Sequence, residues 1–151
     1  MSRSAQGQFR SVFAFTTFFY PKLKSGGHGC VKLWTKAVDI FQYSLILVPV
    51  HLGDHWTLAA IDMEEKSMTY FDSLGGSKPS CLRSLAVYVK QEHLSKKGVR
   101  KPFFVYCIKF IFQAPLLISC WSLEVAKNTP LQANLSDCGV FVLKTTECLS
   151  R

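Results

Sequence analysis

The sequence lacks the features that mark several large classes of protein. Its six cysteines include no Cys-x-x-Cys pair, and zinc knuckles need such close pairs to form their chelate loop, so we expect no metal site. There is no internal repeat and no low-complexity linker. With 48% hydrophobic and 19% charged residues, the chain is neither disordered nor collagen-like. A length of 151 residues with this composition predicts one compact domain over residues 1–151.

Acidic residues are scarce at the start of the chain. The first 38 residues hold six basic side chains and no acidic one, and the whole chain has a net charge of +8. Such an excess favours an acidic partner, which a nucleic acid, an anionic membrane or an acidic protein would each provide. No nucleic-acid-binding motif accompanies the charge, so we predict no direct nucleic-acid role. The opening residues, MSRSAQGQFR, are not typical of a secretory signal, which favours reduced thiols in the cytosol or nucleus.

The clearest secondary-structure pattern lies in the middle of the chain. Three short apolar segments, 45–50, 56–62 and 68–71, are separated by turn signals and predict a meander in a mainly antiparallel sheet. A helix then begins near Pro79, with Ser77 as its expected N-cap. Its buried face is predicted to carry apolar residues spaced as i, i+3, i+4 and i+7. Helical spacing of apolar residues also predicts a short helix over 31–38.

Residues 103–120 differ from the rest of the chain. This apolar stretch, FFVYCIKFIFQAPLLISC, contains one charge, Lys109, and one proline, Pro115. Its length reaches the lower limit for a membrane span, but the charge and the proline argue against one. We therefore predict a buried segment and no membrane association.

Three residues, in the order His55, Asp72 and Cys138, predict a nucleophilic site. His55 lies where a turn enters the second strand and Asp72 at the end of the third, so a meander brings imidazole and carboxylate within hydrogen-bond reach. Cys138 follows a Ser-Asp capping signal and begins a helix-like pattern, where the helix dipole lowers the pKa of a thiol. Its thiolate would be the nucleophile. Its backbone amide would face a developing oxyanion, and Gln132 would add a side-chain donor.

Each of these residues also has a purely structural interpretation, which is the commoner one for a single residue. A histidine before a strand is usually a surface residue, an aspartate after one a turn former, and a cysteine before an apolar helix a small core residue. Order and context favour a site, but spacing alone does not decide. The other cysteines have no base or cap near them in sequence and are interpreted as structural: Cys30, Cys81, Cys107, Cys120 and Cys148.

Four stretches of the sequence resemble one known family. They are TFFYPKLKSGG, VKLWTKAVDIF, LILVPVHLGDHWTLAAIDMEEKSMTYFDS and QANLSDCGVFVLK. Together they are similar to the sentrin/SUMO-specific proteases, the Ulp-type cysteine peptidases, and the similarity covers about residues 12–101 and 121–149. The specific motifs are HW after one strand, YFDS after the next, and a glutamine six residues before the cysteine of SDCG.

The resemblance implies both a fold and a set of roles. The fold would be α+β, an adenain-type variant of the papain-like cysteine protease fold, with a mainly antiparallel sheet flanked by helices. His55 matches the family's base, Asp72 its orienting acid, Cys138 its nucleophile and Gln132 its oxyanion-hole glutamine. Trp56 matches the tryptophan that covers the narrow channel for a C-terminal Gly-Gly. The implied reaction is hydrolysis of the peptide or isopeptide bond after that Gly-Gly, as in SUMO maturation and deconjugation, with no cofactor.

The sequence departs from the family pattern in three places. The family's upstream segment containing W-L-N-D has no match, and the family continues with further helical sequence after the helix that follows the cysteine. The resemblance therefore implies a protease domain truncated at both ends. Residues 103–120 have no family counterpart, and we interpret them as an insertion from an unspliced or mispredicted stretch of transcript.

Several properties stay open at the level of sequence. A peptidase for another ubiquitin-like modifier would use the same catalytic residues, and a catalytically impaired fragment that binds SUMO would share the fold. The family implies SUMO or SUMO-conjugated proteins as partners and a nuclear location, with the cytoplasm as a second site. A monomer is expected. The basic charge of the chain suits an acidic modifier, mainly through the association rate.

Overall fold

The computed structural model of the protein describes residues 10–98 and 121–151. These residues form a five-stranded sheet with helices on both faces. Two short 3₁₀ turns, His28–Cys30 and Ile40–Gln42, lie in the segment between the first helix and the second strand. The elements in chain order are β1 (Val12–Ala14), α1 (Phe19–Gly26), β2 (Leu45–His51), β3 (Trp56–Asp62), β4 (Ser67–Phe71), α2 (Pro79–Lys97), β5 (Ser122–Val125) and α3 (Cys138–Leu149).

The predicted meander is confirmed. Strands β2, β3 and β4 pair antiparallel, with Leu47 opposite Ala60 and Ala60 opposite Thr69. The two outer pairings, β1 with β2 and β4 with β5, are parallel. In each pair a long segment of chain connects the two strands, as a parallel pairing requires. The sheet is therefore mixed, with an antiparallel centre, and the overall architecture agrees with the predicted α+β class.

Both faces of the central strands are buried. Ile46 and Val48 of β2 point into the main core beneath α1 and α2, whereas Leu45 and Leu47 point to a second, smaller core that includes Val142 of α3. Successive side chains of a strand face opposite sides of the sheet. A strand covered on both sides therefore needs apolar residues at every position, which explains the continuous apolar run in this segment.

Helix α2 has the predicted buried face. Leu82, Leu85, Ala86 and Val89 are each at most 2% exposed. The expected cap is wrong, however, because the N-cap residue is Lys78 rather than Ser77 and no side chain caps the helix. Pro79 occupies the first helical position, where its missing N–H costs no hydrogen bond.

The helix predicted over 31–38 is not present, since residues 31–37 form consecutive turns. Val31 and Thr35 are fully buried, whereas Trp34 is 42% exposed. The Thr35 hydroxyl donates to Oε1 of Glu92 at 2.6 Å. A polar contact with α2 thus anchors a segment that apolar spacing alone had suggested to be helical.

The apolar insertion predicted at 103–120 lies outside the described residues. Among the helices that the structure does describe, none is both long and apolar enough to cross a membrane.

Candidate active site

The sheet brings His55 and Asp72 together as the sequence predicts. His55 immediately precedes β3 and Asp72 immediately follows β4, and these antiparallel strands pair with Leu58 opposite Phe71. His55 Nε2 lies 2.7 Å from Oδ1 of Asp72. The carboxylate is largely shielded from water, since Asp72 is 8% exposed, and such a contact holds the imidazole in one orientation.

A tight turn after β4 fixes the Asp72 carboxylate. The backbone N–H of Leu74 donates to Oδ1 of Asp72 at 2.8 Å, and the N–H of Gly75 donates to the Asp72 carbonyl oxygen at 3.0 Å. Gly75 has a φ of +75°, which favours glycine. At Gly76 a Cβ atom would lie 2.4 Å from Oδ2 of Asp72. Gly75 and Gly76 therefore let the backbone approach the Asp72 carboxylate closely.

Cys138 is the first residue of α3 and is buried at 5% exposure. The pKa of its thiol is lowered, most strongly by the backbone N–H of Trp56, which hydrogen-bonds the sulfur. Burial acts in the opposite direction, and hydrogen bonds from His55 and from the Gly139 N–H add to the lowering. Backbone donors and a neighbouring base at a helix N-terminus favour the thiolate, the nucleophilic form of cysteine.

The pKa of His55 is raised. Burial opposes protonation of the imidazole, but hydrogen bonds to Asp72 and to Cys138, together with their charges, outweigh it. Because Nε2 contacts Asp72, Nδ1 is the ring nitrogen left for the sulfur. The shifts of the two groups run in opposite directions, and both favour an imidazolium beside a thiolate.

Gln132 is held by two other residues. Its backbone N–H donates to the Ser73 carbonyl oxygen at 2.8 Å, and its side-chain Oε1 accepts from the Ser73 hydroxyl at 2.6 Å. Its Nε2 donates to the carbonyl oxygen of Asn134 at 2.5 Å. The structure therefore places Gln132 against the turn that follows Asp72, and its role at an oxyanion stays a prediction.

Trp56 lies at the start of β3 and its side chain is half-buried. Its ring packs against the imidazole of His51, with ring centroids 4.2 Å apart and planes at 33°. Its backbone N–H faces Cys138, as described above. The predicted role of its side chain in covering a substrate channel stays a prediction.

Two residues of the site region escaped sequence reasoning. Asn134 Oδ1 accepts from the N–H groups of Ser136 and Asp137, both at 3.0 Å, and its Nδ2 donates to the Asp137 carboxylate at 2.8 Å. The predicted Ser-Asp cap is thus wrong in detail, because Asp137 is the N-cap residue by position but its side chain caps nothing. Asn134 lies in a polar, turn-forming stretch that could have identified it. The second residue, Ser73, contacts Gln132, which is 59 positions away, so no local pattern marks it.

Within residues 10–98 and 121–151, no three His, Cys, Asp or Glu side chains are close enough to hold a metal ion. Cys30, Cys81, Cys138 and Cys148 are free thiols. Burial raises the pKa of Cys81 to about 11, so that thiol is unreactive at neutral pH.

An imidazole between a carboxylate and a thiol at a helix N-terminus is the arrangement used by thiol-dependent hydrolases. Comparison with known proteins gives a specific family. The family model described as "Ulp1 protease family, C-terminal catalytic domain" matches residues 1–151. The chain belongs to the Ulp1 protease family.

Relatives and solved structures agree with this assignment. The chain is 38% identical to a sentrin-specific protease of Caenorhabditis elegans over 98% of this chain and 19% of that protein. It is 35% identical to sentrin-specific protease 2 of Mus musculus over 100% of this chain and 24% of that protein. A C-terminal Ulp1 protease domain, solved in complex with Smt3, the yeast ortholog of SUMO, superposes with a TM-score of 0.72 at 27% identity, over 95% of this chain and 58% of that chain. The chain thus spans only part of each of these proteins.

Proposed function

We propose that this chain is the protease domain of a SUMO-specific cysteine peptidase, which cleaves the peptide or isopeptide bond after the modifier's C-terminal Gly-Gly. The observation that carries the proposal is that His55 contacts both the carboxylate of Asp72 and the thiol of Cys138. The opposite pKa shifts of His55 and Cys138 support it. The relatives named as sentrin-specific proteases and the Ulp1 structure with Smt3 support the choice of modifier.

The proposed reaction assigns one role to each of these groups. The Cys138 thiolate attacks the glycine carbonyl carbon, and the oxyanion that forms accepts hydrogen bonds from the Cys138 N–H and the Gln132 amide. The His55 imidazolium gives its proton to the leaving amine, and the C–N bond breaks to leave a thioester on Cys138. His55 then takes a proton from water, the hydroxide displaces the thiolate, and the modifier leaves with a free carboxylate.

The substrate is proposed to reach the sulfur through a narrow passage beneath Trp56. Glycine has no side chain, so a passage that admits only backbone would select Gly-Gly by exclusion. The net charge of +8 suits an acidic modifier and acts mainly on the association rate. A monomer and a nuclear location belong to the same proposal.

A SUMO molecule with an electrophile in place of its last carboxylate tests the proposal. The unmodified chain should form one covalent adduct, and Cys138→Ala should form none. Cys30→Ala and Cys148→Ala are matched controls, because both thiols are free and exposed, and both variants should label as the unmodified chain does.

Three outcomes would contradict the proposal. Adduct formation by Cys138→Ala would exclude Cys138 as the nucleophile. Stronger labelling by a probe built on another ubiquitin-like modifier would assign a different substrate. Binding of SUMO without any labelling would make the chain an inert SUMO-binding fragment.

A further inference from the structure

Ser73 connects the turn that holds Asp72 to the segment that precedes Cys138. It is the residue after Asp72 and is 4% exposed. Its carbonyl oxygen accepts from the Gln132 N–H at 2.8 Å, and its hydroxyl lies 2.6 Å from Oε1 of Gln132. Two hydrogen bonds thus join segments that are 59 positions apart in the chain.

The surroundings of Gln132 determine which end of its side-chain amide faces Ser73. One end of the amide lies 2.5 Å from the backbone carbonyl oxygen of Asn134. A carbonyl oxygen only accepts, so this end must be the NH₂ group. The other end is then the oxygen, and the Ser73 hydroxyl must be the donor. The Asn134 carbonyl oxygen therefore specifies a single orientation of the amide. The Ser73 hydroxyl, which could donate or accept, donates to the amide oxygen and holds the side chain in that place.

This orientation matters for the chemistry proposed above. The Gln132 NH₂ group has two hydrogens, and the bond to Asn134 uses one, which leaves the second as a donor. With the amide reversed, an oxygen lone pair would occupy that place and would repel a developing oxyanion. We propose that Ser73 is a positioning residue, which orients the Gln132 amide so that its N–H serves the oxyanion. The inference rests on the proposed function.

Two adjacent residues of the turn after β4 each orient a side chain of the candidate active site. Asp72 orients the imidazole of His55, and the adjacent Ser73 orients the amide of Gln132. Among the described residues, no hydrogen bond joins Ser73 to His55, so removal of the Ser73 hydroxyl should leave the His55–Asp72 bond intact. The effect of a Ser73 variant should therefore appear in the step that builds the oxyanion.

Steady-state turnover of a SUMO substrate tests the inference. Ser73→Ala is expected to lower kcat about 10-fold with little change in KM, a smaller loss than that caused by removing the oxyanion donor itself. Ser73→Thr, which keeps the hydroxyl, should retain most of the activity. In a Gln132→Ala background, Ser73→Ala should cause no further loss, because the residue that it positions is already absent.

Either of two kinetic results would overturn the inference. One is full activity of Ser73→Ala, and the other is an equal loss in the presence and in the absence of Gln132. Should Ser73→Ala fail to fold, Ser73→Cys replaces it, because a thiol is a donor of similar size but weaker. An intermediate kcat is then expected, and a kcat equal to that of the unmodified chain would contradict the inference.

A spectroscopic readout separates this inference from the proposed function. The side-chain ¹⁵NH₂ signals of Gln132, assigned by their loss in Gln132→Ala, should shift and exchange faster with water in Ser73→Ala than in Ser73→Thr. Unchanged signals in Ser73→Ala overturn the positioning role, whatever the activity of the chain. An inactive unmodified chain whose Gln132 signals respond as expected would count against the peptidase proposal alone.

Discussion

Two histidine–carboxylate pairs in this structure have the same contact distance and different surroundings. His28 Nε2 lies 2.7 Å from Oε2 of Glu92, and His55 Nε2 lies 2.7 Å from Oδ1 of Asp72. Both histidine side chains are 13% exposed. The contact between acid and imidazole, taken alone, therefore does not distinguish the two places.

The two pairs differ in the other groups that their carboxylate and imidazole contact. Oε1 of Glu92 accepts from the Thr35 hydroxyl at 2.6 Å and lies 3.3 Å from the Lys96 ammonium, so this carboxylate joins three segments of the fold. Asp72 contacts Nε2 of the His55 imidazole, and that same imidazole also hydrogen-bonds the thiol of Cys138. A carboxylate shared among structural donors stabilises a fold, whereas one that orients a single base beside a nucleophile can support a reaction.

The largest expected contrast comes from removing each histidine. His55→Ala should lower turnover of a SUMO substrate by at least about 10⁴-fold, because both the base and the acid of the reaction are lost. His28→Ala should leave turnover per folded molecule within about twofold. Single-turnover rates of the two variants, normalised to folded protein, measure the contrast, and similar losses would show that the two pairs do not differ in role.

Removing the charge of Asp72 is expected to have the next largest effect. Asp72→Asn should lower kcat by about 10²- to 10⁴-fold, because the imidazole loses its orientation and the stabilisation of its charged form. The bond to Asp72 raises the pKa of His55, so its loss should also move the alkaline limb of the pH–rate profile to lower pH. An alkaline limb at the same pH in the variant and the unmodified chain would contradict this account.

A glycine substitution probes how closely the turn after β4 fits the acid. Gly76→Ala should lower kcat about 10-fold, because the new Cβ would displace Oδ2 of Asp72. Gly29→Ala is the matched control, since a Cβ there meets nothing within 4 Å, and it should retain full activity. Equal activities of the two variants would mean that the carboxylate tolerates the displacement.

The smallest expected effect on turnover belongs to the structural pair. Glu92→Gln should leave kcat of the folded protein within about twofold but lower the free energy of unfolding by about 2 kcal/mol, because a buried charge network loses its centre. Glu65→Gln, at an exposed acid, should leave both quantities unchanged. Denaturant unfolding of the three proteins provides the measurement, and a selective loss of kcat in Glu92→Gln would place this pair in the reaction.

Much of the fold around the site was predictable from local sequence. The turn signals between the apolar segments predicted the meander, and a meander places the residue before its second strand next to the residue after its third. That geometry brought His55 to Asp72. The start of α3 at Cys138 was predictable in the same way, from a polar segment followed by a helical pattern.

Other features were beyond local reasoning. Helical apolar spacing predicts a helix over 31–38, but residues 31–37 form turns. The buried Thr35 hydrogen-bonds Glu92 of a distant helix, which apolar spacing cannot reveal. Ser73 was missed as a partner of Gln132, since its hydrogen bonds depend on how the 131–137 loop packs against the turn after β4. The parallel outer strands were missed because each pairs with its neighbour only after a long intervening segment.

Local sequence specified the central meander, helix α2 and the start of α3, because turns, alternation and helix starts depend on neighbours only a few positions apart. Long-range packing specified which histidine faces a thiol, which one supports the fold, and where the Gln132 amide meets Ser73. These arrangements depend on hydrogen bonds between groups at least 17 positions apart in the chain and on the contact of His55 with Cys138. Such contacts exist only once the sheet and helices have packed together.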